Sequence, residues 1–556
     1  YAASSDLLNN KDFYGNNAGT TVKMVIKTHI DAKKVSIETL REHGHLVEND
    51  KKTETNIKIK NETTVTTTKA DNQGTWDVDK KVTPPPTTTD SPIPSIKDPV
   101  KKVSDSDDLN WDATVQQDGE KTPGSHNRVT DVTNQWLYTL TQEIPAHTVE
   151  LYHYKSFTIT DAVDSCLSYD VKDITIKAGD KDYTDKFDIT KGDDNSLTLT
   201  AKSDVLASDE FYGGKSGNKI VVSFPVKISA DAKTLKDENL GHLEIGGKKM
   251  AHLQKVSDLQ KLSGFTDLVK SKDNEYVYAF LNQAKSHIDS QIKYEGQTGV
   301  KDRTTDKVET AVETADPTIK KESSKYEWQV GDKVDYTINV GDANSNSIAD
   351  NVVVTDESLP KAMLPDKDSI TISSTFDKEK SGAPEDRDIS KDAKIEYTEK
   401  GFVITIPKLY RGETATIKLT CTAKEKSTYD SITDQWADCL EKANADKKLT
   451  CVNGEVIENR AFVTATLMLK DKDTPPDDLE RVWVNTPHLN IKKSVEKKEY
   501  NVGETVKYTL VVTNVHEGTL ARDIVITDQL QTPGETIVEG TIRLKDETGA
   551  VYDLGK

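Results

Sequence analysis

Short runs in which apolar and polar residues alternate recur along most of the chain, separated by turns of Asp, Asn, Gly and Lys. A period of two residues is typical of half-buried antiparallel strands, because successive side chains of a strand point to opposite faces of its sheet. The pattern therefore predicts an all-β protein made of sandwich modules. Two segments, 255–288 and 428–447, break this rhythm, and in the second Ile432, Trp436 and Leu440 recur at helical spacing. We predict a small helical insertion at each.

Two internal repeats divide the chain into modules. The segment that begins at Ile319 realigns without a gap with the segment that begins at Ile491 (491 − 319 = 172), and Ser5 and its neighbours realign with Ser203 and its neighbours (203 − 5 = 198). With a stiff proline-rich stretch at 84–94 as a boundary, the repeats predict complete modules at 96–315 and 316–486. The remaining segments are predicted to be the C-terminal part of a module at 1–95 and the N-terminal part of one at 487–556. A half sandwich leaves unpaired strand edges, so we expect neither end to fold well alone.

Length and charge narrow the functional classes. A chain of 556 residues is too long for one core. Its 94 Asp and Glu residues against 74 Lys and Arg residues give a net charge of −20, which repels nucleic-acid phosphates and anionic lipids. No stretch approaches the roughly 20 apolar residues that span a bilayer. We expect no nucleic-acid partner and no membrane insertion in this segment.

Cysteine and histidine patterns give no sign of a cofactor. The 4 cysteines match no zinc-binding spacing, and the 11 histidines form no clear ligand set. A disulfide between two of Cys421, Cys439 and Cys451 and a set of buried thiols both remain open. There is no phosphate-binding glycine loop and no nucleophile elbow. We therefore predict no metal, no cofactor and no turnover of an external substrate.

Three strand segments of the module at 316–486 each place a reactive side chain on an apolar face. Residues two apart in a strand share a face, so Lys321 lies with Ile319, Asp356 with Val354, and Asn459 with Ile457 and Ala461. A buried Lys, Asp and Asn without partners would each cost several kcal/mol, as an order of magnitude.

A chemical reaction between these groups would account for their burial. Desolvation lowers the pKa of a lysine and raises that of a carboxyl group, and a neutral amine is a nucleophile. Lys321 could then attack the Asn459 carboxamide while Asp356 shuttles protons. The products would be an amide bond and ammonia.

These residues resemble the Cna-type, Ig-like domains of Gram-positive pilins and surface adhesins. The resemblance is carried by Lys321 at the end of a first strand, a V-G-D-x-V-x-Y-T strand (330–337), a V-V-x-T-D strand (352–356) and an I-x-N-x-A strand (457–461). It is good over 316–486 and partial elsewhere. It implies an Ig-like fold and an autocatalytic intramolecular isopeptide bond, with Lys321 as nucleophile, Asp356 as catalytic acid and base, and Asn459 as electrophile. Lys320 is the rival lysine, which strand parity argues against.

The module at 96–315 departs from this pattern. Lys102 and Asp161 fit the first two roles, but our alignment places Ser290 where the other module has asparagine. Serine has no carboxamide. We therefore predict no cross-link in this module, unless Asn282 or Gln291 serves instead.

The two end segments are complementary in content. The segment 487–556 has Lys493 and Asp528 at the same separation of 35 residues (528 − 493) as Lys321 and Asp356, but no asparagine strand follows. The segment 1–95 has Asn61 in a strand pattern but no preceding Lys and Asp. One hypothesis is that Lys493 bonds Asn61 of the next copy in a head-to-tail fibre. The other is that the chain is a piece of a longer repetitive protein.

The sequence thus predicts an extracellular, non-enzymatic stalk or fibre segment on a bacterial cell surface, stiffened by Lys-Asn isopeptide bonds. The alternative is an adhesin module that binds a host glycan or matrix protein through its insertions.

Overall fold

The structure, a computed structural model, describes residue 6 and residues 23–70, 76–105, 124–240, 242–263, 276–294, 299–356, 364–423 and 454–553. The chain divides into two compact units, residues 1–314 and 315–556.

The first unit is built mainly of strands. In chain order these are β1 (Leu46–Glu48), β2 (Glu54–Asn61), β3 (Val65–Ala70), β4 (Trp76–Val82), β5 (Thr87–Pro92), β6 (Val100–Asp105), β7 (His126–Val129), β8 (Trp136–Ile144), β9 (Tyr154–Asp161), β10 (Leu167–Ser168), β11 (Thr175–Ala178), β12 (Lys181–Asp182), β13 (Phe187–Lys191), β14 (Leu197–Ala201), β15 (Asn218–Ile228), β16 (Leu243–Ile245), β17 (Lys248–Met250), β18 (Leu253–Lys255), β19 (Tyr276–Asn282), β20 (Ala284–Ser290), β21 (Val300–Thr304) and β22 (Val308–Glu313).

Its helices are short. They are α1 (Ile37–Glu42), α2 (Ser203–Leu206), α3 (Asp209–Tyr212), α4 (Ala232–Lys236) and α5 (Val256–Ser263), with 3-10 turns at Glu150–Tyr152, Val171–Asp173, Thr184–Lys186 and Gly214–Ser216.

Three sheets form the body of this unit: β12-β11-β15-β8-β6 with β10 also paired to β15, β13-β14-β9-β20-β21, and β18-β19-β22-β7. Strand β8 shows why they fold this way, because its residues alternate strictly between buried and half-buried positions. Trp136, Tyr138 and Leu140 therefore enter the core while the residues between them face outward.

The N-terminal segment packs on this body. Strands β1, β2 and β5 form a small sheet, and Ile37 of α1 and Ile57 of β2 bury against Leu151, Tyr152 and Ile292. The Arg41 guanidinium reinforces this contact, because it pairs with Glu54 at 2.7 Å and donates to the Gln291 carbonyl oxygen at 3.0 Å.

The described part of the second unit contains the remaining strands and one short helix, α6 (Ile389–Asp392). Its strands are β23 (Pro317–Ser323), β24 (Glu327–Gln329), β25 (Lys333–Asp342), β26 (Ala349–Asp356), β27 (Thr371–Thr375), β28 (Lys394–Tyr397), β29 (Phe402–Leu409), β30 (Thr414–Thr422), β31 (Gly454–Thr464), β32 (Asp477–Asn485), β33 (Leu489–Val495), β34 (Tyr508–Asn514), β35 (Arg543–Lys545) and β36 (Val551–Asp553).

Residues 315–486 form a two-sheet sandwich. A four-stranded sheet, β23-β25-β30-β27, faces a six-stranded sheet, β24-β32-β31-β26-β29-β28, and one apolar core fills the space between them. The prediction of an all-β chain built from Ig-like sandwich modules is confirmed.

The segment after residue 486 is open by comparison. Its described strands pair only as the hairpins β33-β34 and β35-β36. Large apolar side chains such as Val502, Val511, Val525 and Ile526 are exposed there.

The predicted helical insertion at 255–288 needs correction. Among its described residues only Val256–Ser263 is helical, whereas Tyr276–Asn282 and Ala284–Ser290 are strands. In β20 every second residue from Ala284 to Ser290 is buried, which is the period of a strand. The second predicted insertion, 428–447, lies outside the described residues. No helix in the described part of the chain is long and apolar enough to cross a membrane.

Candidate cross-linking sites

A buried ion pair lies in the core of the second unit. Lys321, on strand β23 of the four-stranded sheet, pairs through Nζ with the Asp356 carboxylate at the end of β26 in the opposite sheet, and both side chains are fully buried. The ammonium also lies 5.0 Å from the centroid of the Tyr336 ring. The backbone N–H of Lys321 donates to Asp478 Oδ2 at 2.7 Å, and this hydrogen bond holds β23 against the six-stranded sheet. Lys320, by contrast, is exposed and pairs with Glu322 at 2.5 Å.

Burial shifts both groups toward their neutral forms. Desolvation lowers the pKa of Lys321, opposed by the charge of Asp356, and desolvation raises the pKa of Asp356, opposed by Lys321. The two shifts converge, so moving one proton from the ammonium to the carboxylate removes two buried charges at once. The result would be a neutral amine beside a carboxylic acid.

Asn459 lies on the same face of the same sheet as Asp356. Strand β31 pairs with β26 so that Val463 faces Val354 and Phe462 faces Thr355. The next pair in this register is Ala461 with Asp356, and Asn459 is two residues beyond it.

The Asn459 carboxamide is fully buried, and neither its Nδ2 nor its Oδ1 makes a hydrogen bond to the described residues. Burial raises the pKa of the Tyr336 hydroxyl, and the neighbouring Asn459 side chain partly opposes that rise. Lysine, aspartate, tyrosine and asparagine thus meet in the core between the two sheets.

The first unit contains a matching arrangement. Lys101 on β6 pairs with Asp161 at the end of β9, with side-chain exposures of 0% and 2%, and its Nζ lies 4.6 Å from the centroid of the Tyr138 ring. Desolvation lowers the pKa of Lys101 despite the nearby carboxylate.

The strand register is the same in the two units. Lys101 is paired with Leu140, two residues after Tyr138, just as Lys321 is paired with Ile338, two residues after Tyr336.

The register also identifies the asparagine of the first unit. Asp161 is paired with Ala284, and Asn282 is two residues before that alanine, as Asn459 is before Ala461. Asn282 is buried, and its Nδ2 and Oδ1 also lack hydrogen bonds to the described residues.

The residues that the sequence analysis chose for this unit lie elsewhere. Lys102 is half-buried on the opposite face of β6 from Lys101. Ser290 is paired with Tyr154, seven residues before Asp161, and its Oγ accepts a hydrogen bond from Ile292 N at 3.1 Å. In the first unit the counterpart of Lys321 is therefore Lys101 and not Lys102. The counterpart of Asn459 is Asn282 and not Ser290.

A third lysine and aspartate pair lies in the segment after residue 486. Lys493 Nζ lies 2.7 and 2.8 Å from the two carboxylate oxygens of Asp528 and 4.5 Å from the Tyr508 ring centroid. These side chains are open to water, with exposures of 39% for Lys493 and 33% for Asp528. Asn61, the predicted acceptor, is exposed at the end of β2, where it is paired with Thr87.

Sequence reasoning missed two features of these sites, which are Lys101 and the tyrosine beneath each lysine. It named Asn282 only as an alternative. The signals were present: Tyr-Thr recurs at 138–139, 336–337 and 508–509, and Asn-x-Ala recurs at 282–284 and 459–461.

The described residues include only one of the three cysteines in the disulfide prediction. Cys421 is buried, and burial raises the pKa of its thiol. Among the described residues Cys166 and Cys421 are both free thiols. Cys439 and Cys451 lie outside the described residues.

No family model matches the chain, and no curated protein matches it. Solved structures do. The chain is similar to the C-terminal domain of the Streptococcus agalactiae AgI/II polypeptide BspA, with 13% identity and a TM-score of 0.32 over 70% of this chain and 100% of that one. It is similar to the C-terminal domain of the Streptococcus pyogenes antigen I/II-family protein AspA, with 12% identity and a TM-score of 0.32 over 70% and 99%. It is also similar to the Corynebacterium diphtheriae major pilin SpaA, with 12% identity and a TM-score of 0.23 over 70% and 68%.

Proposed function

We propose that this chain is a stalk or fibre segment of a bacterial cell-surface adhesin or pilin, and that two of its modules are closed by self-formed Lys-Asn amide bonds. One bond joins Lys321 to Asn459 and the other joins Lys101 to Asn282. The observation that carries the proposal is the repetition of one buried set of lysine, aspartate, tyrosine and asparagine at matching strand positions in two modules.

The reaction balances without a co-reactant. The aspartate takes a proton from the lysine ammonium, and the neutral Nζ attacks the carboxamide carbon of the asparagine. The protonated aspartate passes that proton to the carboxamide nitrogen and takes a second proton from the attacking Nζ. The carbon–nitrogen bond of the carboxamide then breaks, ammonia leaves, and a neutral amide remains beside a protonated aspartate. Each site would react once, and the chain would therefore not be an enzyme that turns over an external substrate.

The unreacted groups are costly to bury, which favours the reaction. A buried carboxamide without hydrogen bonds costs about 1–3 kcal/mol for each unsatisfied group, and a buried ion pair carries a desolvation penalty. The amide product has no charge. It also removes one primary amide donor group from the core.

The positions of the bonds suit a protein under tension. The Lys321 bond would tie β23, the first strand of its sandwich, to β31 in the opposite sheet. Force applied to the ends of the module would then load a covalent bond instead of the hydrogen bonds between strands. The Lys101 bond would do the same between β6 and β19.

The mass of the denatured, reduced chain tests the proposal. We expect a deficit of two ammonias in the unmodified protein, one in Lys101→Ala or Lys321→Ala, and none in the double variant. Lys102→Ala and Lys320→Ala are the matched controls, and each should retain both deficits. A mass equal to that of the sequence would refute the proposal, and a deficit that Lys102→Ala removes would refute the assignment of Lys101.

Lys493, Tyr508 and Asp528 support a second candidate function, covalent assembly. They repeat the arrangement of the other two sites on an open hairpin with no asparagine strand beside it among the described residues. A strand from another copy could complete the site, with Asn61 as the predicted acceptor. Concentration-dependent multimers that resist boiling in detergent are expected, and Lys493→Ala and Asn61→Ala should abolish them while Lys492→Ala should not. Absence of such multimers at high concentration would exclude this assembly.

A further inference from the structure

Three side chains of metal-binding type meet in the core of the first unit, apart from the lysine site. Asp164 and Cys166 follow strand β9, and His252 immediately precedes β18. Their ligand atoms all lie within 4.8 Å of one another. The side chain of His252 is fully buried, that of Asp164 is 5% exposed, and Cys166 is 2% exposed.

The hydrogen bonds of His252 leave one ring nitrogen available. Its Nδ1 lies 2.8 Å from the Ala279 carbonyl oxygen. A carbonyl oxygen only accepts, so Nδ1 carries a hydrogen, and Nε2 is the ring nitrogen that a metal would take as its ligand. A backbone carbonyl behind the ring is the usual way in which a metal-binding histidine is oriented. The ring is further fixed by stacking on Phe280, with centroids 4.5 Å apart.

The Nε2 atom points at the other two side chains without a hydrogen bond. It lies 3.3 Å from Asp164 Oδ2, which is within ion-pair distance, and its geometry does not satisfy a hydrogen bond to any described residue. Asp164 is itself held in place, because its Oδ1 accepts the backbone N–H of Cys166 at 2.8 Å. The site therefore combines a buried, oriented imidazole with a thiol and a positioned carboxylate.

We propose that Asp164, Cys166 and His252 form a binding site for a zinc ion. Thiolate sulfur, imidazole nitrogen and carboxylate oxygen are the ligands that Zn²⁺ takes in proteins, whereas the thiol disfavours Ca²⁺ and Mg²⁺. Zinc–ligand distances of about 2.0–2.3 Å place bound ligand atoms about 3.5 Å apart, so the three groups need to approach only slightly. On binding, the Cys166 thiol proton and the proton that the charged His252 ring carries on Nε2 are released to solvent, and water takes the fourth position.

The site lies beside the proposed Lys101–Asn282 bond without depending on it. Asp164 and Cys166 follow Asp161 by three and five residues. His252 makes two hydrogen bonds to the backbone of Ala279, which lies three residues before Asn282. Its ring Nδ1 bonds to the Ala279 carbonyl oxygen, and its own carbonyl oxygen accepts a hydrogen bond from Ala279 N at 2.8 Å. A metal here would hold the segment after the aspartate strand against the asparagine strand.

Cobalt binding to the reduced, metal-stripped full chain tests the proposal. Co²⁺ in a tetrahedral site with a thiolate gives a near-ultraviolet charge-transfer band and strong visible bands. We expect these bands to saturate at one equivalent and to be abolished by added Zn²⁺. Cys166→Ser should lose the charge-transfer band, and Asp164→Asn should weaken Co²⁺ and Zn²⁺ binding by about 10-fold or more. Cys421→Ser, at the other described buried thiol, is the matched control and should retain the bands.

Two further outcomes decide the question. Zn²⁺ should raise the melting temperature of the transition that contains the first unit, and it should do so equally in Lys101→Ala, which separates this site from the cross-link. If the unmodified chain gives no thiolate band, or if Cys166→Ser keeps it, the three side chains form only a histidine–aspartate pair beside a thiol, and the proposal is wrong.

Discussion

Replacing Asn459 with alanine is expected to lower the melting temperature of the second unit sharply. The substitution removes the electrophile but leaves the Lys321–Asp356 pair as the structure shows it. The bond that is lost would close a loop of 138 residues (459 − 321). By the chain-entropy relation used for disulfides, a loop of that length contributes about 5 kcal/mol to the free energy of unfolding.

That free energy converts to a measurable shift. For a module of this size each kcal/mol moves the melting temperature by about 2–4 °C, so Asn459→Ala should melt about 10–20 °C lower than the unmodified protein. Differential scanning calorimetry of the full chain would follow the second unit, with the first unit as an internal reference whose transition should not move. Lys320→Ala is the matched control and should leave both transitions in place.

A double variant separates the bond from the packing around it. If the bond is the main loss, Lys321→Met combined with Asn459→Ala should be hardly less stable than the worse single variant, because either change alone already prevents the bond. Additive losses would mean that the two side chains stabilise the fold separately. A variant that lacks the ammonia deficit yet melts within about 2 °C of the unmodified protein would refute the loop-entropy argument.

Two other predictions test individual side chains. Burial raises the pKa of Asp342 to about 6, so the folded state holds a proton that the unfolded state has lost, and the free energy of unfolding should fall by up to about 3 kcal/mol as pH rises from about 4 to about 6. The melting-temperature difference between Asp342→Asn and the unmodified protein should therefore change across that range, and a constant difference would contradict the shift. Arg41→Ala should leave the buried Glu54 carboxylate without its cation, cost about 3 kcal/mol, and speed tryptic release of residues before 96; an unchanged digestion rate would contradict that role.

Strand parity selected Lys321 over Lys320 because the residues on the two faces of the strand differ in polarity. Ile319 and Lys321 share a face, and the structure buries Lys321 and exposes Lys320. In β6 the same argument fails, because Val100 shares a face with Lys102 and Val103 shares one with Lys101. Only the fold, which buries Val103 and leaves Val100 44% exposed, decides between the two lysines.

The error at Ser290 came from the secondary structure assigned to 255–288. With that segment interpreted as helical, the asparagine strand had to begin after it, and the alignment slipped from Asn282 to Ser290. The strands β19 and β20 show that Asn-Gln-Ala at 282–284 is the counterpart of Asn-Arg-Ala at 459–461. The His252 cluster was beyond sequence reasoning altogether, because 86 residues (252 − 166) separate its histidine from its cysteine, and only the packing of the sheets brings them together.

The contrast between the three lysine sites indicates what the proposed reaction would require. Lys101 and Lys321 lie in closed sandwiches, where desolvation lowers their pKa and an unsatisfied carboxamide is buried in the same core. Lys493 has the same aspartate and tyrosine neighbours, yet water reaches the pair, and no third strand pairs with its hairpin among the described residues. Under the proposed mechanism the ion pair alone would be insufficient, and its burial would have to be completed by a strand that brings its own asparagine. On this reasoning the Lys493 site should stay unreacted in an isolated copy, and any bond it forms should appear only when a second copy covers the exposed face of its hairpin.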